Sequence, residues 1–171
     1  KHSLEINGKN LDAHYLIGQK YFLELNYEKA LYHFLNAHNP LIPKGNIFND
    51  LAGTYKKLDN YDKSLEYYNK AIKVEPENAL YYNNLGGLKK KQKIYKEAIG
   101  AYTNAILKDK EYFNAFNNRG SVYFELKEYE KAETDFTEAI KINGNNSNAY
   151  NNRGTSRVKL GRYDEAISDF S

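Results

Sequence analysis

Apolar residues along this chain recur with the spacing of a helix rather than the alternation of a strand. Phe48, Leu51, Ala52 and Tyr55 lie three or four apart, and so do Leu65, Tyr68 and Ile72, so each set forms one stripe on one helix face. Between two such stripes comes a short polar turn ending in a tyrosine. An acid follows it in four cases, Glu28, Asp62, Glu130 and Asp164, where a carboxylate faces the positive end of a helix macrodipole. The pattern predicts an all-α chain with no β-ladder. First helices are expected near 11–24, 46–58, 80–92, 114–126 and 148–160, and second helices near 28–39, 62–74, 96–108, 130–142 and 164–171.

The stripes repeat. Gly18, Ala52, Gly86, Gly120 and Gly154 stand 34 residues apart, and the same step separates Ala30, Ser64, Ala98, Ala132 and Ala166. Tyr27, Tyr61, Tyr95, Tyr129 and Tyr163 keep it, as do the aromatics Phe34, Tyr68, Tyr102, Phe136 and Phe170. Ala37, Ala71, Ala105 and Ala139 keep it too. Such register without an insertion means one supersecondary unit used again and again. The small positions are where two helices cross closely, since a larger side chain would hold them apart. Each aromatic buried against a neighbour contributes roughly 1.5–3 kcal/mol. No single hairpin can bury its own face, so stability is a sum over neighbours.

In these residues the chain resembles the tetratricopeptide repeat family, over essentially its whole length. The family pattern is met by Phe48, Leu51, Ala52, Tyr55, Ser64, Tyr68 and Pro76, and again by Tyr82, Leu85, Gly86, Ala98 and Tyr102. Tryptophan is replaced throughout, Lys89 and Arg157 stand where tyrosine is usual, and Pro76 alone fills the closing proline position. The resemblance implies a right-handed superhelix, an α-solenoid of antiparallel helical hairpins with a 34-residue period. In this register the repeats are 11–44, 45–78, 79–112, 113–146 and an incomplete 147–171. Residues 1–10 read as the tail of a preceding repeat, because Leu4 to Asn10 is similar to Ile140 to Asn146. On this reading both ends are cut from a longer array, so 164–171 is expected to fray or to be buried by end-to-end self-association. Pro40 stands where other repeats continue the second helix, at Val74, Lys108 and Ile142, so that helix should stop by about Asn39 with 40–45 irregular.

Composition narrows the function. With 25 basic and 22 acidic residues the net charge is only +3, which makes no case for nucleic acid or an anionic membrane as main partner. No apolar run approaches the roughly 18 residues needed to span a bilayer. Zero cysteine removes disulfides and thiolate metal sites and leaves the compartment open. No phosphate-cradling glycine loop, dinucleotide fingerprint or Gly-x-Ser-x-Gly turn occurs, so no enzyme activity and no cofactor are expected. His14, His33 and His38 gather in the first repeat, but His14 and His38 occupy positions filled elsewhere by Phe48 and Ile72; packed histidines are the expectation, not a metal site.

Asparagine carries the strongest functional signal. Asn49 with Asp50, Asn83 with Asn84, Asn117 with Asn118, and Asn151 with Asn152 recur just before the small residue, and Asn46, Asn114 and Asn148 lie one turn earlier. In the fourth repeat Phe116, Gly120 and Tyr123 face the hairpin partner, while Asn114, Asn117, Asn118 and Ser121 form a stripe on the other side. The resemblance implies that this stripe lines the concave ligand groove. A carboxamide offers a donor and an acceptor, so it can pair with an extended backbone whatever the side chains. The plainer alternative is a solvated face in an Asn-rich chain. The positions at which some family members clamp a terminal carboxylate hold no basic residue in either window, among them Tyr15, Gln19, Asp50, Leu80 and Asn84. Lys56 with Lys57, and Lys89, Lys90 and Lys91 with Lys93, make either a patch for an acidic partner segment or another solvated face.

The lead function is therefore a protein-interaction scaffold that holds an extended peptide or partner protein. A substrate-guiding array of a larger enzyme, such as a glycosyltransferase, is the alternative. Single-stranded RNA binding is opposed by the strict 34-residue unit and the balanced charge. One internal comparison concerns stability. Before the small residue the repeats carry Ile17, Leu51, Leu85, Arg119 and Arg153; sixteen residues later they carry His33, Tyr67, Ala101, Asp135 and Asp169. Arginine and aspartate arrive together, which predicts the salt bridges Arg119–Asp135 and Arg153–Asp169 within their hairpins. The rival reading makes those arginines groove ligands for an acidic partner.

Overall fold

The computed structural model describes the backbone of residues 2–171 and the side chains from Asn10 onward. Among the described residues there are ten helices and no strand: α1 His2–Leu23, α2 Tyr27–Ala37, α3 Gly45–Lys57, α4 Tyr61–Val74, α5 Ala79–Lys91, α6 Tyr95–Lys108, α7 Phe113–Glu125, α8 Tyr129–Ile142, α9 Ser147–Lys159 and α10 Tyr163–Phe170. The chain forms two compact units, Lys1–Asn84 and Leu85–Ser171. In the first, α1 packs on α2, α2 on α3, and α3 on α4. In the second, α6 packs on α7, α7 on α8, α8 on α9, and α9 on α10. Helices thus pack in sequence order within each unit, as hairpin stacking requires.

Two ends differ from expectation. Helix α1 starts at His2 rather than near 11, because no proline interrupts the hydrogen-bond ladder before Leu23. The reading of residues 1–10 as the tail of a preceding repeat turns on side chains outside the described residues. Helix α10 is formed to Phe170 rather than frayed, since Ala166 and Asp169 are buried against α9. Helix α2 ends at Ala37, three residues short of Pro40. Asn39 then shapes the loop, its side-chain oxygen accepting from the Leu41 amide at 2.9 Å.

The turn inside each hairpin repeats as regularly as the core. Leu25, Asp59, Lys93, Lys127 and Gly161 all have positive φ, between 57° and 75°. The next amide in each case, at Asn26, Asn60, Ile94, Glu128 and Arg162, reaches back five residues to a carbonyl at 2.9 Å. This Schellman arrangement satisfies the last carbonyls of the first helix. The same next residue caps the second helix: Asn26 and Asn60 accept from the amides of Lys29 and Lys63 at 3.2 Å. Four of the five left-handed positions lack glycine and so carry a steric cost. Lys127→Gly is expected to stabilise the chain by about 1 kcal/mol, measured as a higher urea midpoint; a lower midpoint would show that the side chain contributes more than its backbone strain costs.

The core sits at the helix crossings. Ala30, Ser64, Ala98, Ala132 and Ala166 are all buried, and the aromatics Phe34, Tyr68, Tyr102 and Phe136 lie beside them. Each ring covers the small residue of the preceding helix: a Cβ on Gly18 would come within 2.7 Å of the Phe34 ring, and on Gly86 within 2.6 Å of Tyr102. Ser64, the one hydroxyl in the small series, donates to the Ala52 carbonyl at 2.8 Å and so ties the two helices it separates.

Candidate functional site

The asparagines of the first helices are brought together as pairs across successive repeats. Asn84 Nδ2 donates to Asn49 Oδ1 at 2.9 Å, and Asn152 Nδ2 donates to Asn117 Oδ1 at 3.2 Å. Tyr15 makes the equivalent bond in the first repeat, its hydroxyl donating to Asp50 Oδ2 at 2.9 Å. Every one of these bonds spans 35 residues, one more than the repeat, because it joins each position to its successor's neighbour. The carboxamides are therefore not the unengaged groove ligands that their spacing suggested. Each pair uses one oxygen and one N–H, and leaves further donors and acceptors on half-buried side chains. Asn83 is buried and donates to Asn84 Oδ1 at 3.4 Å. Asn118 is half-buried, while Asn46, Asn114, Asn148 and Asn151 are exposed.

In the first unit this face holds a cavity of about 520 Å³. Phe22, Phe34 and Tyr68 form its apolar wall, Gly53 lies where a side chain would intrude, and Gln19, Asn49, Asp50 and Asn84 supply polar atoms. Lys56 and Lys57 lie at its edge, the first with its ammonium 6.0 Å from the centre of the Tyr68 ring. Asp50 stands where the later repeats have Asn84, Asn118 and Asn152. Asn49 Nδ2 donates to it at 3.1 Å, in addition to Tyr15. Burial pushes the Asp50 carboxyl above its ordinary value, against the pull of hydrogen bonds from Tyr15, Asn49 and Gln19. Burial and the adjacent carboxylate push the Tyr15 hydroxyl up to about 12, so it stays a proton donor at neutral pH. Spacing alone did not single out Asp50, Gln19 or Gly53 as one site. The available signal was Asp50 itself, an acid in a position that three later repeats fill with asparagine.

The lysines are more engaged than their spacing indicated. Lys90 donates to Ser121 Oγ at 2.6 Å and pairs with Glu125 at 3.1 Å, and Lys89 pairs with Glu97 at 2.8 Å. Lys89 and Lys90, whose charges already meet carboxylates, have little left to offer an acidic segment. His14 and His33 face each other, Nδ1 to Nδ1, at 2.9 Å, and the His38 ring packs 4.9 Å from Phe48.

Both expected salt bridges are present. Arg119 Nε and Nη2 donate to the two oxygens of Asp135 at 2.8 and 2.7 Å, a fork-to-fork geometry. Arg153 binds Asp169 through Nε at 3.0 Å and Nη2 at 2.5 Å. Each guanidinium also donates backward to a threonine of the preceding hairpin, Arg119 to Thr103 at 2.9 Å and Arg153 to Thr137 at 3.4 Å. The bond to Asp135 raises the Arg119 pKa further; burial pushes the Asp135 carboxyl up while Arg119 pulls it down. These arginines tie hairpins together and are spent as groove ligands. Arg157, which replaces the usual tyrosine, extends the cluster by donating to Glu133 at 2.8 Å and to Asp169 at 2.9 Å.

Among the described residues no helix is long and apolar enough to cross a membrane, and no group of three or more His, Cys, Asp or Glu is arranged to hold a metal. Two family models described as tetratricopeptide repeat match the chain, one at residues 45–78 and 113–146, the other at 136–168. Together they span more than half of it. No curated protein sequence matches. Solved structures are similar in fold. A MamA protein shares 23% identity over 95% of this chain and 89% of its own, with a TM-score of 0.77. PilF of Pseudomonas aeruginosa shares 24% over 95% and 74%, with a TM-score of 0.85. MamA of Desulfovibrio magneticus shares 16% over 94% and 91%, with a TM-score of 0.77.

Proposed function

The chain belongs to the tetratricopeptide repeat family, and on that footing we propose that it is a protein-interaction scaffold whose first helices grip an extended segment of a partner. The observation that carries this reading is the Asn117–Asn152 pair. With Asn117 Oδ1 and one Asn152 N–H occupied by each other, the Asn117 amide hydrogens and the Asn152 carbonyl remain on half-buried side chains. A donor and an acceptor side by side, held still by their mutual bond, match the alternating C=O and N–H of an extended backbone. Asn84 and Asn49 make the same bond in the first unit beside the cavity, where the Asn49 amide also donates to Asp50 and the Asn84 oxygen also accepts from Asn83. Exposed Asn46, Asn114, Asn148 and Asn151 extend each stripe, and Lys56 adds a cation at one edge.

The reading is tested by changing Asn84, Asn118 and Asn152 to alanine together, against peptides selected for binding by display on phage. Affinity should fall by roughly a hundred-fold, taking about 1 kcal/mol for each lost hydrogen bond. Helicity should be retained, with a stability loss of the same small order per lost pair. Undiminished affinity with a collapse in melting temperature would make these asparagines purely structural.

A further inference from the structure

The cavity of the first unit says which side chain such a segment carries. We propose that it seats an arginine of the bound peptide, with the guanidinium on Asp50 and the aliphatic stem against Phe22. The inference rests on the groove reading above and adds the chemistry of the ligand. Its basis is that Asp50 holds a negative charge that no cation among the described residues offsets. Its oxygens accept from Tyr15 at 2.9 Å, from Asn49 at 3.1 Å and from Gln19, all neutral donors that leave the charge uncompensated. Asparagine is what the later repeats have at this place: Asn84, Asn118 and Asn152.

Among the described residues no cation pairs with Asp50, although it is half-buried and lines a cavity of about 520 Å³. The nearby lysines do not compensate it. Lys56 and Lys57 follow it on α3 by six and seven residues, which places them about 9–10 Å further along the helix axis. A carboxylate drawn partly out of water without a counter-ion favours a cationic ligand. The remaining wall selects among cations. Phe22, backed by the buried rings of Phe34 and Tyr68, offers aromatic surface, which suits a planar, weakly hydrated guanidinium on a three-carbon stem better than a compact ammonium. Gly53 leaves room for it: a Cβ built there meets only the Tyr68 hydroxyl, at 3.8 Å.

Citrulline tests this cleanly, being arginine's neutral isostere. Acetylated heptapeptides of serine, threonine and alanine, with arginine or citrulline in the centre, would be titrated into the 171-residue chain by calorimetry. The arginine peptide should bind roughly ten-fold more tightly, as expected of a charged hydrogen bond. Asp50→Asn should abolish that preference while leaving the melting temperature within a degree or two, because the Tyr15 bond survives. The preference should also fade on acidification at a pH above the usual carboxylate range, since protonated Asp50 no longer attracts a cation and burial raises its pKa. Equal affinity for the two peptides, or a preference that persists in Asp50→Asn, would overturn the arginine assignment and leave groove binding intact. Binding of neither peptide, with the triple-asparagine variant as indifferent to selected peptides as the parent, would overturn both.

Discussion

Replacing Asp135 with alanine is expected to lower stability by about 3–5 kcal/mol. The cause is the arginine left behind. Arg119 has a side chain only 18% exposed and Asp135 one only 6% exposed, and two short hydrogen bonds join them. Without the carboxylate, the guanidinium keeps only Thr103 and the face of Phe116, whose ring centre is 5.7 Å away. A charge in that setting is poorly solvated and poorly compensated. The chain supplies its own control, because the third repeat has Leu85 and Ala101 at the same two places. Arg119→Leu with Asp135→Ala moves that solution into the fourth repeat and should recover most of the loss. Urea unfolding followed by circular dichroism, on both variants, reads the difference. A double variant as unstable as Asp135→Ala alone would mean that the pair itself, and not the orphaned charge, dominates.

Phe136→Ala should cost a similar amount, about 3–5 kcal/mol. The ring is 2% exposed and lies so close over α7 that a Cβ on Gly120 would sit 2.9 Å from it. Its removal leaves a cavity between α7 and α8 at the point where they cross, and the backbone there cannot close it because Ala132 already holds the helices near contact. Phe136→Tyr should change stability by less than about 1 kcal/mol, since Tyr68 and Tyr102 occupy the same place in their own hairpins while fully buried. The check is again the unfolding midpoint. A loss below about 1 kcal/mol for the alanine variant would mean that the ring is not the keystone of its hairpin.

Much of the fold was legible because it depends on spacing. The 34-residue recurrence of Ala30 or Phe34 fixes which faces are buried, and those faces are where the structure has its core. The Arg119–Asp135 pair was legible for a related reason: two repeats differ from three in two places at once, and covariance inside one chain implies contact. The turns were hidden. A left-handed residue is easy to anticipate at Gly161 but not at Leu25, Asp59, Lys93 or Lys127, where the Schellman bonds and the crossing helices impose a conformation that the side chain disfavours. The start of α1 was missed because a repeat boundary need not be a helix boundary when no proline marks it.

The candidate site was legible in position and misjudged in state. Spacing put Asn49, Asn84, Asn117 and Asn152 on one face, but a helical wheel describes one helix at a time. It does not show that position 84 comes within 2.9 Å of position 49 on the neighbouring helix. Lys90 was misjudged likewise, since Glu125 lies 35 residues away in sequence and 3.1 Å away in space. Asp50 stands in the stripe and at a clamp position, but a single acid among asparagines looks like variation until a cavity is seen beside it.

The most direct test of groove binding is to watch the asparagines themselves. Their side-chain NH₂ groups give separate signals in a nitrogen–proton correlation spectrum of the uniformly labelled chain. On titration with a phage-selected peptide, the paired signals of Asn49 and Asn84, or those of Asn117 and Asn152, should shift together and saturate at one affinity, while those of Asn69 and Asn104 on the second helices stay still. Shifts confined to Asn69 and Asn104, with the first-helix asparagines unmoved, would contradict it and place the partner on the opposite face.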